Sequence, residues 1–135
     1  MPLVLVRHAS AGDRSEWQGD DRDRPLDERG AEQARGLVRR LAPYTFDAIH
    51  TSPALRCVQT VQPLASSRGL EPEVRSELSE EQQGHAGALL LRELAGHDVV
   101  VCGHGGLDAP LLDAPKWRKS AAFVLDGELR VVEIL

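Results

Sequence analysis

Two short apolar runs constrain the fold of this chain more than any other sequence feature. Residues 3–6 (LVLV) and 99–102 (VVVC) contain no charged or strongly polar side chain and are rich in β-branched residues. A run that is apolar at every position is typical of a strand buried on both faces, as strands are in a parallel sheet covered by helices. Both runs therefore predict central strands of an α/β sheet.

Helical patterns lie between the predicted strands. Asp27 is a plausible N-cap for a first helix, whose apolar residues up to position 41 fall on one face. For a second helix, Ser52 is the predicted N-cap with Pro53 in the first turn, and Gly69 is the predicted end. A third helix is predicted over residues 81–95, before the second apolar run.

Further strands are predicted at residues 46–51 and 73–78, and a hairpin is predicted to join 121–125 to 128–135 through an Asp-Gly pair. Because strands alternate with helices, the predicted fold class is α/β: a three-layer α/β/α arrangement with a mostly parallel central sheet and a C-terminal antiparallel hairpin. A chain of 135 residues that is 41% hydrophobic has the size of one domain, so residues 1–135 are predicted to form a single domain.

Composition narrows the expected partners and compartment. The formal net charge of −5 argues against binding to a nucleic-acid polymer, which requires a basic surface. Cys57 and Cys102 lie far apart in apolar surroundings, which predicts free core thiols rather than metal ligands. Neither a signal peptide nor a membrane-spanning run is apparent, so we expect a cytoplasmic protein without a membrane partner.

Charged and nucleophilic side chains follow the predicted strands where each strand ends. Arg7 and His8 follow the first apolar run, and His104 follows the second. Arg56 lies in the first turn of the second helix, which follows another strand. Since the carboxyl ends of parallel strands share one edge of a sheet, where ligands bind in such folds, we expect these side chains to meet. Two arginines, two histidines and the helix N-terminus at Ser52 predict a pocket for a phosphate dianion.

A phosphate pocket of this kind can carry out covalent catalysis. A neutral imidazole attacks phosphorus through one ring nitrogen when a hydrogen bond holds the other nitrogen. A carboxylic acid nearby can protonate the leaving oxygen and then activate water, and Glu80 and Glu81 are both candidates. The two glutamates also have a structural interpretation, because acidic residues are common in the first turn of a helix.

Four motifs together resemble those of one protein family. They are, in chain order, VRHASA at 6–11, RPLDERGAEQA at 24–34, TSPALRCVQT at 51–60 and CGHGG at 102–106. With them the chain resembles the histidine phosphatase superfamily, in its phosphoglycerate-mutase-like branch. Its short length and RPLxxRGxxQA segment are most similar to the small SixA-type phosphohistidine phosphatases. They are also similar to the phosphatase domain that some bacterial Nudix (MutT-type) proteins carry.

The resemblance implies a phosphoglycerate-mutase-like fold and a role for each matching position. His8 would be the nucleophile that becomes phosphohistidine. The phosphate pocket would be completed by Arg7, Arg56 and His104. Glu80 matches the place where many members carry the proton donor. The family uses no metal, so neither a metal nor another cofactor is expected.

One departure from the family pattern concerns substrate binding. The asparagine that larger members place shortly after the nucleophile is absent, and Ser10 or Arg14 is the candidate replacement. Ser52 and Gly105 are further substrate-binding candidates, and the segment 107–119 is a candidate rim of the pocket. The insertions that cap the pocket in larger members are also mostly missing, which predicts an open pocket.

The predicted function is that of a metal-independent phosphatase with a covalent phosphohistidine intermediate at His8. The substrate is a phosphorylated small molecule or a phosphohistidine protein, and an acid at Glu80 favours small phosphoesters because an alkoxide leaving group needs a proton most. The alternatives are a phosphoglycerate-type mutase, which would need a closed pocket, and a non-catalytic phosphate-binding regulatory module. The polar segment 10–25 is long for a connection and is predicted to be an active-site loop.

Overall fold

A computed structural model describes residues 2–135, and its core is a single six-stranded sheet. Across the sheet the strands lie in the order β3-β2-β4-β1-β5-β6. In chain order the strands are β1 (Leu3–Arg7), β2 (Ala48–Thr51), β3 (Glu73–Val74), β4 (Val99–Gly103), β5 (Ala122–Leu125) and β6 (Val131–Ile134).

Three α-helices connect the strands of the parallel part of the sheet. They are α1 (Glu28–Arg40), α2 (Leu55–Arg68) and α3 (Ala88–Leu94). Short helical turns lie in the connections, at Arg14–Glu16, Asp21–Asp23, Ser76–Leu78 and Gln83–Gly87. None of the helices among residues 2–135 combines the length and the apolar run that a membrane span requires.

The pairing of the strands confirms the predicted sheet. β4 pairs in parallel with β1 on one side and with β2 on the other, and β2 also pairs in parallel with β3. β5 pairs antiparallel with β1 and β6, which forms the predicted C-terminal hairpin. The parallel strands therefore present their carboxyl ends at one edge of the sheet, where the connections carrying the candidate site begin.

Each central strand contributes alternate side chains to two separate cores. Val4 and Val6 of β1 pack with the buried residues of α1 and α2 on one face of the sheet. Leu3 and Leu5 face the other side and pack with α3 and with Phe123. Because helices cover both faces, residues 3–6 of β1 and 99–102 of β4 are apolar at every position, and the predicted three-layer α/β/α class is confirmed.

The start of α2 differs from the prediction. The helix begins at Leu55 with Ala54 in the N-cap position, two residues later than the predicted cap at Ser52. The Ser52 hydroxyl oxygen accepts a hydrogen bond from Ala54 N at 3.2 Å and also lies 2.8 Å from His104 Nε2. Ser52 therefore contacts His104 of the candidate site and is not the N-cap of the helix. Gly69 ends the helix with φ of 67°, as predicted.

The third strand and the third helix are both shorter than predicted. β3 pairs with β2 over two residues, because the chain then turns so that Leu78 can reach the core, where it is fully buried. The predicted helix over 81–95 is α-helical only from Ala88. A wider π-helical turn precedes it, in which Gly87 passes Leu107 so closely that a Cβ would lie 2.9 Å from Cδ1.

The hairpin turn is longer than the two residues predicted. Leu125 pairs with Val131, so residues 126–130 form the loop. The Asp126 side chain organises this loop by accepting hydrogen bonds from Glu128 N and Arg130 N, each at 2.9 Å. The Asp-Gly pair marks the turn correctly, but the side chain of Asp126 favours a wider loop.

Candidate active site

The two histidines of the strand-end motifs lie together. β1 and β4 are adjacent and parallel, with Arg7 opposite Gly103, so the residues that follow the strands occupy equivalent positions. The ring centroids of His8 and His104 are 5.5 Å apart, with an angle of 63° between the ring planes. The parallel pairing therefore brings the two histidines together, as expected from the two sequence motifs.

His8 has its ring fixed by the backbone. Its Nδ1 lies 2.8 Å from the carbonyl oxygen of Ala9, to which it can only donate, so the neutral ring carries its hydrogen on Nδ1 and a lone pair on Nε2. The pKa of His8 is lowered from 6.5 to about 4, mainly by burial and also by the nearby charges of Arg56, His104 and Arg7, while the hydrogen bond to Ala9 O opposes the shift. The imidazole is therefore neutral at physiological pH.

Arg7 is anchored by the backbone of the segment that precedes β5. Its Nη1 donates to the carbonyl oxygen of Trp117 at 2.8 Å, while its buried Nε has no partner among residues 2–135. The guanidinium lies against Gly105, where a Cβ would be 3.2 Å from the Arg7 Cζ. Gly105 thus leaves the space that the guanidinium needs.

Arg56 is the most deeply buried charge of the site, with a side chain only 1% exposed. Its Nη1 donates to the carbonyl oxygen of Asp21 at 2.9 Å, and its Nη2 donates to the carboxylates of Asp21 and Glu80, both at 3.1 Å. Its Nε is buried without a partner among the described residues. Thr60 links the backbone of α2 to the loop after β1, because its hydroxyl donates to Arg56 O and accepts from Ala9 N.

Glu80 bridges Arg56 to a second guanidinium. Arg14 Nη2 donates to both carboxylate oxygens of Glu80, at 3.0 and 2.9 Å. Burial by itself would raise the pKa of Glu80, but the hydrogen bonds from Arg14 and the positive charges around it lower the pKa below its ordinary value. Glu80 is therefore a carboxylate in this arrangement rather than a protonated acid.

His104 is oriented by two polar side chains. Ser52 lies 2.8 Å from its Nε2, and Gln83 accepts a hydrogen bond from its backbone N at 3.3 Å. The amide of Gln83 also donates to Gly105 O at 3.0 Å, which fixes the loop after β4. The Nδ1 of His104 lies 3.5 Å from Arg56 Nη2. His104 is thus held between the Ser52 hydroxyl and the buried arginine.

Most of the residues predicted for the site lie in two adjoining clefts. The cleft that contains His8 is lined by Arg7, Arg14, Glu80, His104, Gly105 and Lys119, among others. The neighbouring cleft is lined by Ser52, Arg56, Glu80, Glu81 and His104, among others. Ser10 has a different role: its hydroxyl donates to the N-cap carboxylate of Asp27 at 2.7 Å. Of the two candidates for the missing asparagine, only Arg14 lines the cleft that contains His8.

Sequence reasoning did not identify two of the residues that hold the site together. Asp21, in the loop 10–25, contacts Arg56 as well as Arg14 and Arg24. Gln83 holds the loop of His104 from the turn before α3. Neither residue belongs to a motif, and a short-range pattern could not have found them, because Arg56 is 35 positions from Asp21 and His104 is 21 positions from Gln83.

Two further predictions concern the surroundings of the site. The segment 107–119 supplies the Trp117 carbonyl oxygen that anchors Arg7, and Lys119 at its end lines the cleft of His8. The loop 10–25 supplies Arg14 and Asp21 to the site, so both segments border it.

Among residues 2–135, His, Cys, Asp and Glu side chains nowhere form a group of three that could hold a metal ion.

Comparison with known proteins assigns the family. The family model described as "Histidine phosphatase superfamily (branch 1)" matches residues 3–93. The chain therefore belongs to the histidine phosphatase superfamily, as the motifs predicted. The match covers the segments of His8, Arg56 and Glu80, whereas His104 lies beyond it. The prediction that residues 1–135 form a single domain of this family stays a prediction, and position 1 lies outside the described residues.

The chain is also similar to a curated relative, and it shares its fold with solved structures. An "8-oxo-(d)GTP phosphatase" of Mycolicibacterium smegmatis is 36% identical over 118 residues, which is 82% of this chain but only 36% of that relative's length. The SixA protein of Agrobacterium tumefaciens shares the fold with a TM-score of 0.82 at 24% identity, over 99% of this chain and 96% of its own. The protein histidine phosphatase SixA complexed with tungstate has a TM-score of 0.81 at 24% identity, over 100% of this chain and 96% of its own.

Proposed function

We propose that this chain is a phosphatase that transfers a phosphoryl group from its substrate to His8 and then to water. The observation that carries the proposal is the state of His8: the ring is neutral, its Nδ1 hydrogen bonds to Ala9 O, and Nε2 keeps a free lone pair. The family assignment and the relative named as an 8-oxo-(d)GTP phosphatase support phosphatase activity. The substrate is a phosphorylated small molecule or a phosphohistidine protein.

The first step begins with binding of the phosphoryl group. Arg7 and Arg56 each offer a buried Nε–H without a partner among the described residues, and phosphate oxygens can accept from both. Arg56 Nη2 would exchange its carboxylate partners for phosphate oxygens, with His104 beside it. The His8 Nε2 lone pair then forms a bond to phosphorus as the bond to the leaving group breaks. The hydrogen bond to Ala9 O stabilises the imidazolium that results.

The second step releases phosphate by hydrolysis of phospho-His8. A water molecule attacks phosphorus, the electron pair of the P–N bond returns to Nε2, and the proton of the water needs an acceptor. Glu80 is the acceptor that the geometry favours, because it lines the cleft of His8 and is ionised by its contacts with Arg14 and Arg56. Because Glu80 is ionised, it can accept the proton of the attacking water, and we assign it this role in turnover.

The test is phosphate release from p-nitrophenyl phosphate in the presence of EDTA. We expect release by the parent protein to survive EDTA and to fall by at least about 1,000-fold in His8→Ala, because the nucleophile is removed. His97→Ala is the matched control, since His97 is an exposed histidine on the connection before β4. After an acid-free quench, mass spectrometry should locate a phosphoryl adduct on His8.

Folding of His8→Ala must be checked in parallel. We expect the variant to keep a cooperative unfolding transition in urea, because His8 belongs to the site edge and not to either apolar core. Release that EDTA abolishes, or that His8→Ala retains, would contradict the proposed mechanism. Binding of phosphate by the parent without any release would favour the non-catalytic module instead.

A further inference from the structure

Both carboxylate oxygens of Glu80 accept hydrogen bonds from guanidinium groups. Oε1 accepts from Arg14 Nη2 at 3.0 Å and from Arg56 Nη2 at 3.1 Å, while Oε2 accepts from Arg14 Nη2 at 2.9 Å. Charge-assisted hydrogen bonds of this kind are stronger than those between neutral groups. Two guanidinium partners favour the ionised form of Glu80, so it is a poor proton donor in the first step. Oε2 accepts only one hydrogen bond and keeps a lone pair that can accept the proton of water in the second step.

Arg14 also pairs with a second carboxylate, that of Asp21. Its Nε lies 3.3 Å from Asp21 Oδ1, and the same carboxylate pairs with Arg24 Nε at 3.0 Å, where the Arg24 side chain is only 8% exposed. A phosphoryl group that takes Arg56 from Glu80 leaves these contacts of Arg14 unchanged. Glu80 therefore keeps a guanidinium partner while substrate is bound.

An ionised Glu80 limits which leaving groups the first step can release. An alkoxide is a strong base and leaves slowly unless an acid protonates it, and proton transfer of this kind contributes about 100-fold to 10,000-fold to rates. A leaving group that is stable without an added proton does not need this help. The contacts of Glu80 therefore select against simple alkyl phosphates and for phosphoryl groups on good leaving groups.

The charge of the cleft indicates what that leaving group is. Four basic side chains line it, Arg7, Arg14, Arg24 and Lys119, against the carboxylates of Asp13 and Glu80. Lys119 is exposed and takes part in none of the ion pairs among residues 2–135. An ammonium group at the mouth of a phosphate cleft favours a leaving group that is itself an anion.

We propose that the substrates of this site are phosphoanhydrides, in which a second phosphoryl group is the leaving group and is bound by Lys119. The proposal rests on the phosphatase function proposed above and narrows its substrate class. In the chemical step the His8 Nε2 lone pair forms the P–N bond and the P–O bond to the bridging oxygen breaks. The electron pair of that bond stays on the departing phosphate, which leaves without a proton from the enzyme. Water and Glu80 then complete the hydrolysis.

The first experiment compares three substrates with the full chain. We expect ADP and p-nitrophenyl phosphate to be hydrolysed, and glycerol 2-phosphate to react at least about 100-fold more slowly at saturation, because its alkoxide receives no proton. Phosphoimidazole serves as a further substrate with a good leaving group that is not an anion. We expect ADP to have a kcat/KM at least equal to that of phosphoimidazole.

The second experiment tests Lys119 against the other lysine of the chain. Lys119→Ala should raise KM for ADP by about tenfold more than it raises KM for p-nitrophenyl phosphate, as expected for the loss of one charge-assisted hydrogen bond to the second phosphoryl group. Lys116→Ala is the matched control, because Lys116 is equally an exposed lysine three residues away. Equal effects of the two substitutions on ADP would overturn the assignment of Lys119.

The third experiment tests the contact between Arg14 and Glu80. Arg14→Gln removes the guanidinium, so Glu80 can hold a proton beside a bound phosphoryl group. We expect the rate for glycerol 2-phosphate to rise about tenfold relative to that for p-nitrophenyl phosphate. Arg35→Gln is the control, since Arg35 is exposed on α1. An unchanged ratio of the two rates in Arg14→Gln would count against the role of Arg14.

Failure of this inference is distinguishable from failure of the proposed function. Formation of phospho-His8 with equally rapid hydrolysis of glycerol 2-phosphate and ADP would overturn the inference and leave the phosphatase mechanism intact. A clear preference for phosphoimidazole over ADP would likewise overturn the anhydride assignment. If none of the substrates forms phospho-His8, the proposed function itself is wrong, and the inference is wrong with it.

Discussion

At the scale of single residues, burial determines the protonation of His8 and couples it to stability. The unfolded chain protonates this histidine near pH 6.5, whereas the folded protein resists protonation until about pH 4. Between these values the unfolded state binds more protons, so the free energy of unfolding falls as the pH falls. The contribution of His8 to this loss is about 3 kcal/mol over the whole window.

Replacement of His8 by Gln should remove this pH dependence. Between pH 7 and pH 4.5, we expect the free energy of unfolding of the parent to decrease by about 2 kcal/mol more than that of His8→Gln. Urea unfolding at the two pH values measures the difference, and titration of the His8 ring by NMR provides an independent reading near pH 4. Equal losses in the two proteins would show that His8 is not buried as neutral imidazole.

At the scale of elements, the N-terminus of α1 holds the loop that follows His8. Asp27 Oδ1 accepts from Gly30 N at 2.7 Å, and Asp27 Oδ2 accepts from Ser10 Oγ and from Gly12 N. The helix approaches this loop so closely that a Cβ on Gly30 would lie 1.9 Å from Ser10 O. Position 30 therefore requires glycine for a reason of packing and not of helix propensity.

Two glycine substitutions within α1 should have opposite effects. Gly30→Ala should lower the free energy of unfolding by about 3 kcal/mol through overpacking and should reduce phosphatase activity, since the displaced loop lies two residues from the nucleophile. Gly36→Ala on the same helix meets no close atom, so it should raise the free energy by about 0.5 to 1 kcal/mol. Urea unfolding and p-nitrophenyl phosphate hydrolysis measure both. A change of the same sign at the two positions would contradict the packing argument.

At the scale of the whole molecule, the order of the strands predicts a gradient of local stability. β4 and β1 lie in the centre of the sheet, are paired on both sides and are almost fully buried. β6 is an edge strand on which three of the four residues are exposed. Amide groups in fully paired, buried strands exchange through global unfolding, whereas edge amides exchange through local openings.

Native-state hydrogen exchange should follow this gradient. We expect the amides of β1 and β4 to be the slowest to exchange, at a rate set by the free energy of global unfolding, and those of β6 to exchange faster by at least about tenfold. Measurement at several low urea concentrations separates the two kinds of opening. Protection of β6 equal to that of β4 would contradict the gradient and would indicate that the edge of the sheet is covered in solution.

The sequence by itself determined the class of the fold and the neighbourhood of the site. Helix periodicity, the Asp27 cap and the apolar runs of β1 and β4 act over a few residues, so they can be read locally. Parallel pairing then brings the ends of these strands to one edge, which is why His8 and His104 could be expected to meet. The lengths of β3 and α3 could not be read in this way, since they depend on packing against distant residues.

Only the tertiary structure decided which partners the site residues have. Arg14 and Glu80 are 66 positions apart, and their contact lowers the pKa of Glu80 and favours its ionised form. Asp21 reaches Arg56 across 35 positions, from a loop whose charges look like ordinary surface charges. Protonation states and ion pairs arise from the electrostatics of groups that meet only in the folded chain, and no short-range pattern in the sequence encodes those distances.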